Sequence, residues 1–313
     1  MRTIHDPTSS PSPAWPGLML ALIGAIGFSG KAIIVKLAYR YGVDAVTLIM
    51  YRMLFALPLF VAMAWWAGRG KPALTGKDWL GVAGLGFTGY YLASFLDFLG
   101  LAYISASLER LILYLNPTFV MALGWWLYQR RVRPLQMFGM AISYGGVLLV
   151  FGMELSAQGA DAAQGALLVF GSTLSYAVYL VYSGELVRRL GAMRLVGLAS
   201  SVACVLCIGQ FLLLRPLSAA AVAPEVIWLS VLNASACTVM PVLLVMMAIE
   251  RVGASLASQA GMVGPMATIA LGALLLGEPF TVWVAFGTAL VIAGIYVFAR
   301  GGLSPAGKGR HRL

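Results

Sequence analysis

Long apolar stretches separated by short polar connectors make up most of the 313-residue chain. A helix needs roughly 20 apolar residues to cross a bilayer, and ten stretches come near that length. The hydropathy pattern predicts spans near residues 15–37, 45–67, 79–100, 103–127, 134–151, 165–186, 195–214, 226–248, 254–276 and 281–299. The sequence therefore predicts an all-α integral membrane protein with about ten transmembrane helices.

The chain repeats itself at one constant offset. Pro117 and Pro265 lie mid-span in two similar apolar segments, and they are 148 positions apart (265 − 117 = 148). The same offset relates Ala106-Ser107-Leu108 to Ala254-Ser255-Leu256, Phe138-Gly139 to Phe286-Gly287, and Gly17 to Gly165. A constant offset is the mark of a duplicated unit.

Each copy of the unit contains an odd number of predicted spans. The second copy must then enter the membrane from the opposite side, which gives two inverted five-helix repeats related by a pseudo-two-fold axis in the membrane plane. We expect a tail over 1–14, a first repeat over 15–151, a second, inverted repeat over 163–300, and a basic tail over 301–313. This arrangement is typical of secondary transporters that work by alternating access.

Composition and charge agree with a membrane location. Hydrophobic residues make up 61% of the chain and charged residues 10%. The net charge of +10 comes largely from basic residues in alternate connectors and in the C-terminal tail, such as Arg69, Lys71, Lys77, Arg130, Arg131, Arg133, Arg188, Arg189, Arg194, Arg251 and Arg300. This bias predicts the bacterial cytoplasmic (inner) membrane with both termini cytoplasmic, and a lipid bilayer rather than a nucleic acid as the partner.

The residues that most enzymes and cofactor sites need are missing from the spans. His5 and His311 both lie in the tails, and Cys204, Cys207 and Cys237 fit small buried apolar side chains better than a metal site or a disulfide. The chain also lacks a Gly-rich phosphate loop of the Walker type. We therefore expect no metal, no cofactor and no enzymatic activity.

The paired segments resemble those of a known superfamily. Ten spans, an inverted five-helix repeat and the segments Ala106-Ser107-Leu108…Pro117 and Ala254-Ser255-Leu256…Pro265 are similar to the drug/metabolite transporters, in particular the ten-helix EamA-like branch. In that branch each half typically closes its fourth helix with a Gly-Glu pair. Gly277-Glu278-Pro279 matches this pattern, whereas the first half has Gln129-Arg130-Arg131. The resemblance implies a membrane carrier, usually an exporter of metabolites, and the chain looks most like the bacterial aromatic amino-acid exporters.

Five ionisable residues fall within the predicted spans of the first half. They are Lys31, Arg52, Asp97, Glu109 and Arg110, and the predicted orientation puts all five in the outer half of the membrane. Charges at membrane depth are costly and are often functional. Two interpretations remain open. The charges could form ion pairs between helices, with Asp97 or Glu109 against Arg52 or Arg110 and with Lys31 as a counter-ion to Glu109. Alternatively, Lys31 meets a substrate carboxylate and Glu109 couples transport to protons. The glycines Gly24, Gly27 and Gly30 are expected to leave space around Lys31.

Uncharged polar and aromatic residues form a second set of candidates. Proline removes a helix hydrogen bond, so Pro117 and Pro265 predict kinks that free backbone carbonyls near Asn116 and Gln259. Asn233 is a further polar candidate, and Tyr91, Tyr176 and Tyr179 could face a cavity that binds an aromatic solute. Substrate-binding candidates are thus Lys31, Tyr91, Asn116, Pro117, Tyr176, Tyr179, Asn233, Gln259 and Pro265.

These residues predict a carrier that exports a small molecule, with aromatic or bulky amino acids as the favoured substrates. Efflux of lipophilic drugs or other metabolites is the alternative, and an intramembrane scaffold or enzyme is less favoured. Small residues recur on the fifth and tenth spans, at Ala141, Gly145, Ala289 and Ala293. Such faces allow close helix approach. Tight packing within the chain and a homodimer interface both remain open.

Overall fold

The computed structural model describes residues 15–128, 133–158, 160–245, 247–248, 251 and 264–303. Its α-helices are α1 (Trp15–Tyr39), α2 (Ala45–Gly68), α3 (Gly76–Leu85), α4 (Ala93–Leu101), α5 (Ala106–Leu113), α6 (Asn116–Tyr128), α7 (Pro134–Gln158), α8 (Ala160–Leu190), α9 (Ala192–Leu214), α10 (Pro224–Ala234), α11 (Gly264–Leu271) and α12 (Val282–Leu303). The tails predicted over 1–14 and most of 301–313 lie outside the described residues.

Seven of the helical segments are long and apolar enough to cross a membrane, counted over the described residues. They coincide with the predicted first, second, third, fifth, sixth, seventh and eighth spans, and these predictions are confirmed. The fourth predicted span is divided between α5 and α6. Much of the ninth falls outside the described part of the chain, which resumes at α11.

Local sequence signals explain where several helices begin. The Asp44 side chain accepts hydrogen bonds from the backbone N–H groups of Val46 and Thr47 at the start of α2. Thr75 and Asp78 form a reciprocal capping box at the start of α3. Such caps satisfy N–H groups that have no partner within the helix.

Wide π-helical turns interrupt two of the membrane segments at matching places. The first, Gly86–Leu92, joins α3 to α4, and the second, Ser235–Val239, follows α10, after which α-helix continues over 240–245. With the 148-residue offset the first turn maps onto 234–240. A third π-turn, Gly272–Leu276, follows α11. π-turns inside helices are rare and frequently occur at functional sites.

The helix order of the first half recurs in the second. The segment formed by α3, its π-turn and α4 begins at Gly76, and the matching segment begins at Pro224. In the same way α7 begins at Pro134 and α12 at Val282. Both pairs of starting positions are separated by the 148 residues that relate the two prolines.

Helices α7 and α12 pack against each other through glycine. A Cβ atom built on Gly146 would lie 2.5 Å from the carbonyl oxygen of Gly287, and one built on Gly139 would lie 2.6 Å from that of Gly294. Gly145 takes no part in this contact, since a Cβ there would meet no atom within 4 Å. The glycines serve packing within the chain. Residues 139 and 146 meet 294 and 287, so the two helices run antiparallel.

Helices α2 and α9 form a second antiparallel pair, with much of the apolar core beside it. A Cβ on Gly197 would lie 2.8 Å from the backbone nitrogen of Ala64, near one end of the pair. At the other end, Asp44 lies 3.3 Å from the Arg215 guanidinium. The adjoining core includes Met53, Phe60, Phe98, Cys204 and Cys207.

Candidate functional site

A lysine and two carboxylates from three helices meet in the interior of the first half. The Nζ atom of Lys31 on α1 lies 2.6 Å from Oδ2 of Asp97 on α4 and 3.3 Å from Oε1 of Glu109 on α5. The Asp97 and Glu109 side chains are 3% and 0% exposed. We call these three residues the charged cluster. Among the alternatives for Lys31, the structure therefore favours a counter-ion to Glu109, and it adds Asp97 as a second partner.

The two carboxylates are incompletely satisfied. Oδ1 of Asp97 and both carboxylate oxygens of Glu109 are buried and accept no hydrogen bond from the described residues. A buried acceptor left without a donor costs roughly 1–3 kcal/mol, and more when it is charged. One ammonium group thus faces two acids, which leaves room for a proton or a further cation in the charged cluster.

The glycines of α1 determine how Lys31 is presented. Cβ atoms built on Gly24, Gly27 and Gly30 would lie within 3 Å of Val245, Pro241 and Cys237. The expectation that these glycines leave open space is therefore wrong. They let α1 approach the segment 237–245 closely, and this contact fixes the rotation of α1 that turns Lys31 toward Asp97.

Arg52 lies beside the charged cluster. Its guanidinium stacks over the Phe98 ring at 4.7 Å, and its Nη2 donates to the Ser94 hydroxyl at 2.9 Å. Its Nε is buried and has no hydrogen-bond partner among the described residues. The guanidinium also interacts electrostatically with Asp97, so a buried cation with an unused donor lies near an acid with an unused acceptor.

Arg110 leaves α5 on a different face from Glu109. Its Nε donates to the Thr268 hydroxyl at 2.9 Å and its Nη2 to the carbonyl of Phe28 at 2.9 Å. It therefore connects α5 to α11 and α1. Of the braces suggested by the sequence, the ion pairs in the charged cluster involve Lys31, while Arg52 and Arg110 make other contacts.

The two proline-bearing segments meet at the same crossing. At the first, α5 ends at Leu113 and α6 begins at Asn116, so Pro117 lies in a first turn, where its missing N–H costs nothing. The helix is thus interrupted at this point, whereas the sequence predicted a kink. At the second, the carbonyl of Gly264 accepts a hydrogen bond from Ser29 at 2.8 Å.

Pro265 and the remaining polar candidates occupy separate positions. A Cβ on Gly264 would lie 2.7 Å from the Tyr114 hydroxyl, so the break after α5 faces the start of α11, where Pro265 is the second residue. The Asn116 amide donates to the carbonyl of Thr173 at 3.3 Å. Asn233 is 1% exposed, and its Oδ1 has no partner among the described residues. Gln259 lies outside those residues.

The aromatic candidates form a group between the first π-turn and α8. The rings of Tyr176 and Tyr179 stack at 5.4 Å, and Tyr90 meets Tyr179 edge-on at 5.2 Å with their hydroxyls 3.4 Å apart. Tyr91 instead stacks with Phe95 at 6.5 Å. Sequence spacing missed Tyr90, because the π-turn changes which side of the segment each residue faces.

Glu278 is a further polar residue at this crossing. It was not a candidate because it lies just after the predicted ninth span, 254–276. Its carboxylate accepts hydrogen bonds from the backbone of Ala106 at 2.8 Å and from the Ser107 hydroxyl at 2.9 Å. It thus caps α5 from the other half of the chain. One signal for this residue is present in the sequence, the Gly277-Glu278 pair.

Comparison with known families identifies this architecture. The model of the EamA-like transporter family matches the chain twice, over residues 15–152 and 163–300. The chain belongs to the EamA-like transporter family. The two matches are separated by the same 148 residues that relate the two prolines, and together they cover most of the transporter.

Individual relatives agree with this assignment. The transporter YcbK of Bacillus subtilis (strain 168) is 31% identical over 275 residues, which cover 84% of this chain and 86% of YcbK. A transporter of Archaeoglobus fulgidus is 24% identical over 281 residues, 90% of this chain and 96% of its own length. One solved crystal structure shares the fold with a TM-score of 0.60 at 18% identity, covering 93% of this chain. The chain is thus a membrane transporter of the EamA-like family, and the two relatives are transporters as well.

Proposed function

We propose that this EamA-like transporter exports amino acids with aromatic or bulky side chains by alternating access. The observation that carries the proposal is a set of buried polar atoms without hydrogen-bond partners, which includes both acceptors and a donor. Asp97 and Glu109 offer buried acceptor oxygens, and Arg52 offers a buried donor nitrogen. An amino acid carries an ammonium group for the acids and a carboxylate for the arginine.

The aromatic group supports the choice of side chain. Tyr176 stacks on Tyr179, Tyr90 meets Tyr179 edge-on, and Tyr91 stacks with Phe95 on the segment that carries Tyr90. Aromatic rings prefer stacked or edge-on neighbours, so a phenyl or indole side chain is a suitable occupant. Lys31 in this proposal holds the two acids in place, and Asn116, Asn233, Gln259 and the segments at Pro117 and Pro265 are secondary candidates.

Two antiparallel pairs of matching helices support alternating access. Helices α7 and α12 begin at matching positions of the two halves, and so, within two residues, do α2 and α9. Matching helices that run in opposite directions are what an inverted duplication requires. We propose ten spans in two inverted repeats, 15–151 and 163–300, in the cytoplasmic membrane with both termini in the cytoplasm.

Efflux of lipophilic cations is the second candidate. The specific observation in its favour is that the oxygens without hydrogen-bond donors in the charged cluster belong to carboxylates, which attract cations without needing a carboxylate on the substrate. Arg52 argues against it, because a buried guanidinium beside the acids repels a cation that has no negative group.

Counterflow in proteoliposomes tests the proposal. Vesicles loaded with unlabelled phenylalanine, tryptophan, threonine or tetraphenylphosphonium receive the matching labelled solute outside. We expect exchange of phenylalanine and tryptophan, slower exchange of threonine, and loss of exchange in Asp97→Asn. Asp161→Asn, which neutralises an exposed acid on α8, is the matched control. Exchange of the lipophilic cation alone would overturn the amino-acid assignment in favour of the second candidate.

A further inference from the structure

Glu278 connects the two halves at one end of the candidate pathway. It follows the π-turn Gly272–Leu276 in the second half, and its carboxylate receives the Ala106 N–H at 2.8 Å, the Ser107 N–H at 3.3 Å and the Ser107 hydroxyl at 2.9 Å. These donors open α5 of the first half. A carboxylate is favoured there because the N-terminus of a helix carries partial positive charge and unpaired N–H groups.

The local backbone is built to place this carboxylate. Gly277 adopts a left-handed conformation with φ of 71°, which favours glycine and ends the π-turn. The Glu278 N–H returns to the carbonyl of Gly272 at 3.1 Å. A Cβ on Gly272 would lie 2.9 Å from Oε2 of Glu278, so the absence of a side chain at Gly272 makes room for the capping group.

The sequence does not provide the same contact at the matching place. With the 148-residue offset, Glu278 corresponds to Arg130, and Ala106-Ser107 correspond to Ala254-Ser255. These residues lie outside the described part of the chain, so the comparison rests on residue type. Arginine carries five donors and no acceptor, and its positive charge is repelled by a helix N-terminus. At the position of Glu278, the first half therefore has a side chain that donates hydrogen bonds and accepts none.

We infer that Glu278 is a latch that holds the outer end of the pathway closed. The inference rests on the proposed alternating access and orientation, in which the start of α5 and Glu278 both lie at the outer side. Glu109 follows Ser107 by two residues on the same helix, so the latch also positions the charged cluster. While this contact is made, the outer end stays closed and the transporter rests open toward the cytoplasm.

Labelling of Cys237 tests the latch without any substrate. This thiol lies beside α1, since a Cβ on Gly30 would be 2.9 Å from its sulfur. In a chain with Cys204 and Cys207 replaced by alanine, an impermeant maleimide is applied to intact cells and, separately, to inverted membrane vesicles. We expect Cys237 to react faster in the inverted vesicles. Glu278→Gln should raise the rate from outside about tenfold, which corresponds to about 1.4 kcal/mol, and lower the rate from inside.

Two further variants separate a latch from a general loss of structure. Gly272→Ala keeps the charge but displaces the Glu278 carboxylate, and it should shift labelling in the same reciprocal way. Glu225→Gln changes an exposed acid at the start of α10 and should label as the parent does. Faster labelling from both sides, or no change in Glu278→Gln, would overturn the latch. A transporter that exchanges no amino acid can still show the reciprocal shift, so the two proposals fail independently.

Discussion

At the scale of single residues, the charged cluster combines two buried acids with one lysine. Coulombic attraction between charges 3 Å apart is strong in a low-dielectric interior, but it has to offset the desolvation of three ions. The arrangement is stable only while each acid has a positive neighbour or a proton. This makes Lys31 the residue on which the buried carboxylates depend, whatever the substrate is.

Replacing this lysine is expected to destabilise the fold and stop transport. Lys31→Met leaves two buried carboxylates without their nearest cation, at a cost of about 3–5 kcal/mol. Adding Asp97→Asn and Glu109→Gln to the same chain removes the unpaired charges, and it should recover most of the lost stability without restoring exchange. Thermal unfolding in detergent and counterflow measure the two effects.

Lys77→Met, at an exposed position on α3, is the control and should behave as the parent in both measurements. If Lys31→Met unfolded at the parent temperature, the lysine would not be the counter-ion of the two acids. If the triple variant exchanged amino acids normally, the charged cluster would be a structural brace with no part in binding.

At the scale of helices, backbone contact replaces side-chain interdigitation where the halves meet. Without water to drive association, helices in a bilayer gain stability from close packing, and glycine allows the closest approach. Gly139, Gly146, Gly287 and Gly294 all lie against backbone of the partner helix. A methyl group at any of them has to push α7 and α12 apart.

Two neighbouring glycines on α7 provide a matched comparison. Gly146→Ala is expected to destabilise the transporter by about 1–3 kcal/mol, the usual cost of overpacking. Gly145→Ala meets no atom within 4 Å and should be neutral or stabilising by about 0.5–1 kcal/mol, because alanine is the better helix former. Thermal unfolding of the two purified variants decides the point, and equal melting temperatures would contradict the packing described for α7 and α12.

At the scale of the whole molecule, hydropathy and the repeat offset predict most of the architecture. Seven predicted spans are confirmed, because roughly 20 apolar residues have few alternatives to a membrane helix. The sequence also named all three members of the charged cluster. It offered Lys31 with Glu109 only as one alternative and did not pair Lys31 with Asp97, since the partner of a buried charge depends on how each helix is rotated about its axis. Close contacts at Gly24 and Gly27 set that rotation for α1.

Other features lay beyond sequence reasoning for identifiable physical reasons. The π-turn at Gly86–Leu92 inserts extra residues into a helical turn, so a spacing of four residues pointed to Tyr91 and missed Tyr90. The Glu278 contact joins residues 171 positions apart, a distance over which local patterns give no information. Long-range contacts of this kind are decided by the packing of the two halves.

The proposed inversion can be tested at one pair of matching connectors. Ala73 and Ala221 are exposed and separated by the repeat offset, and an inverted duplication places them on opposite sides of the membrane. In a chain without native cysteines, an impermeant maleimide added to intact cells should label Ala221→Cys. Ala73→Cys should react only after the membrane is permeabilised. Labelling of both from the same side would contradict the inversion.

The reach of Glu278 across the molecule means that the two halves are no longer interchangeable. In the second half, Tyr179, Val245 and Ala257 stand at the positions of Lys31, Asp97 and Glu109, so a pair of second halves would lack the charged cluster. A pair of first halves would have the ions, but would offer Arg130 to a helix start that requires an acceptor. The two copies of the duplicated unit have therefore diverged in the residues that they contribute. The first half carries the charged cluster, and Glu278 of the second half caps the helix on which Glu109 lies, so a change in either half acts on the same buried charges.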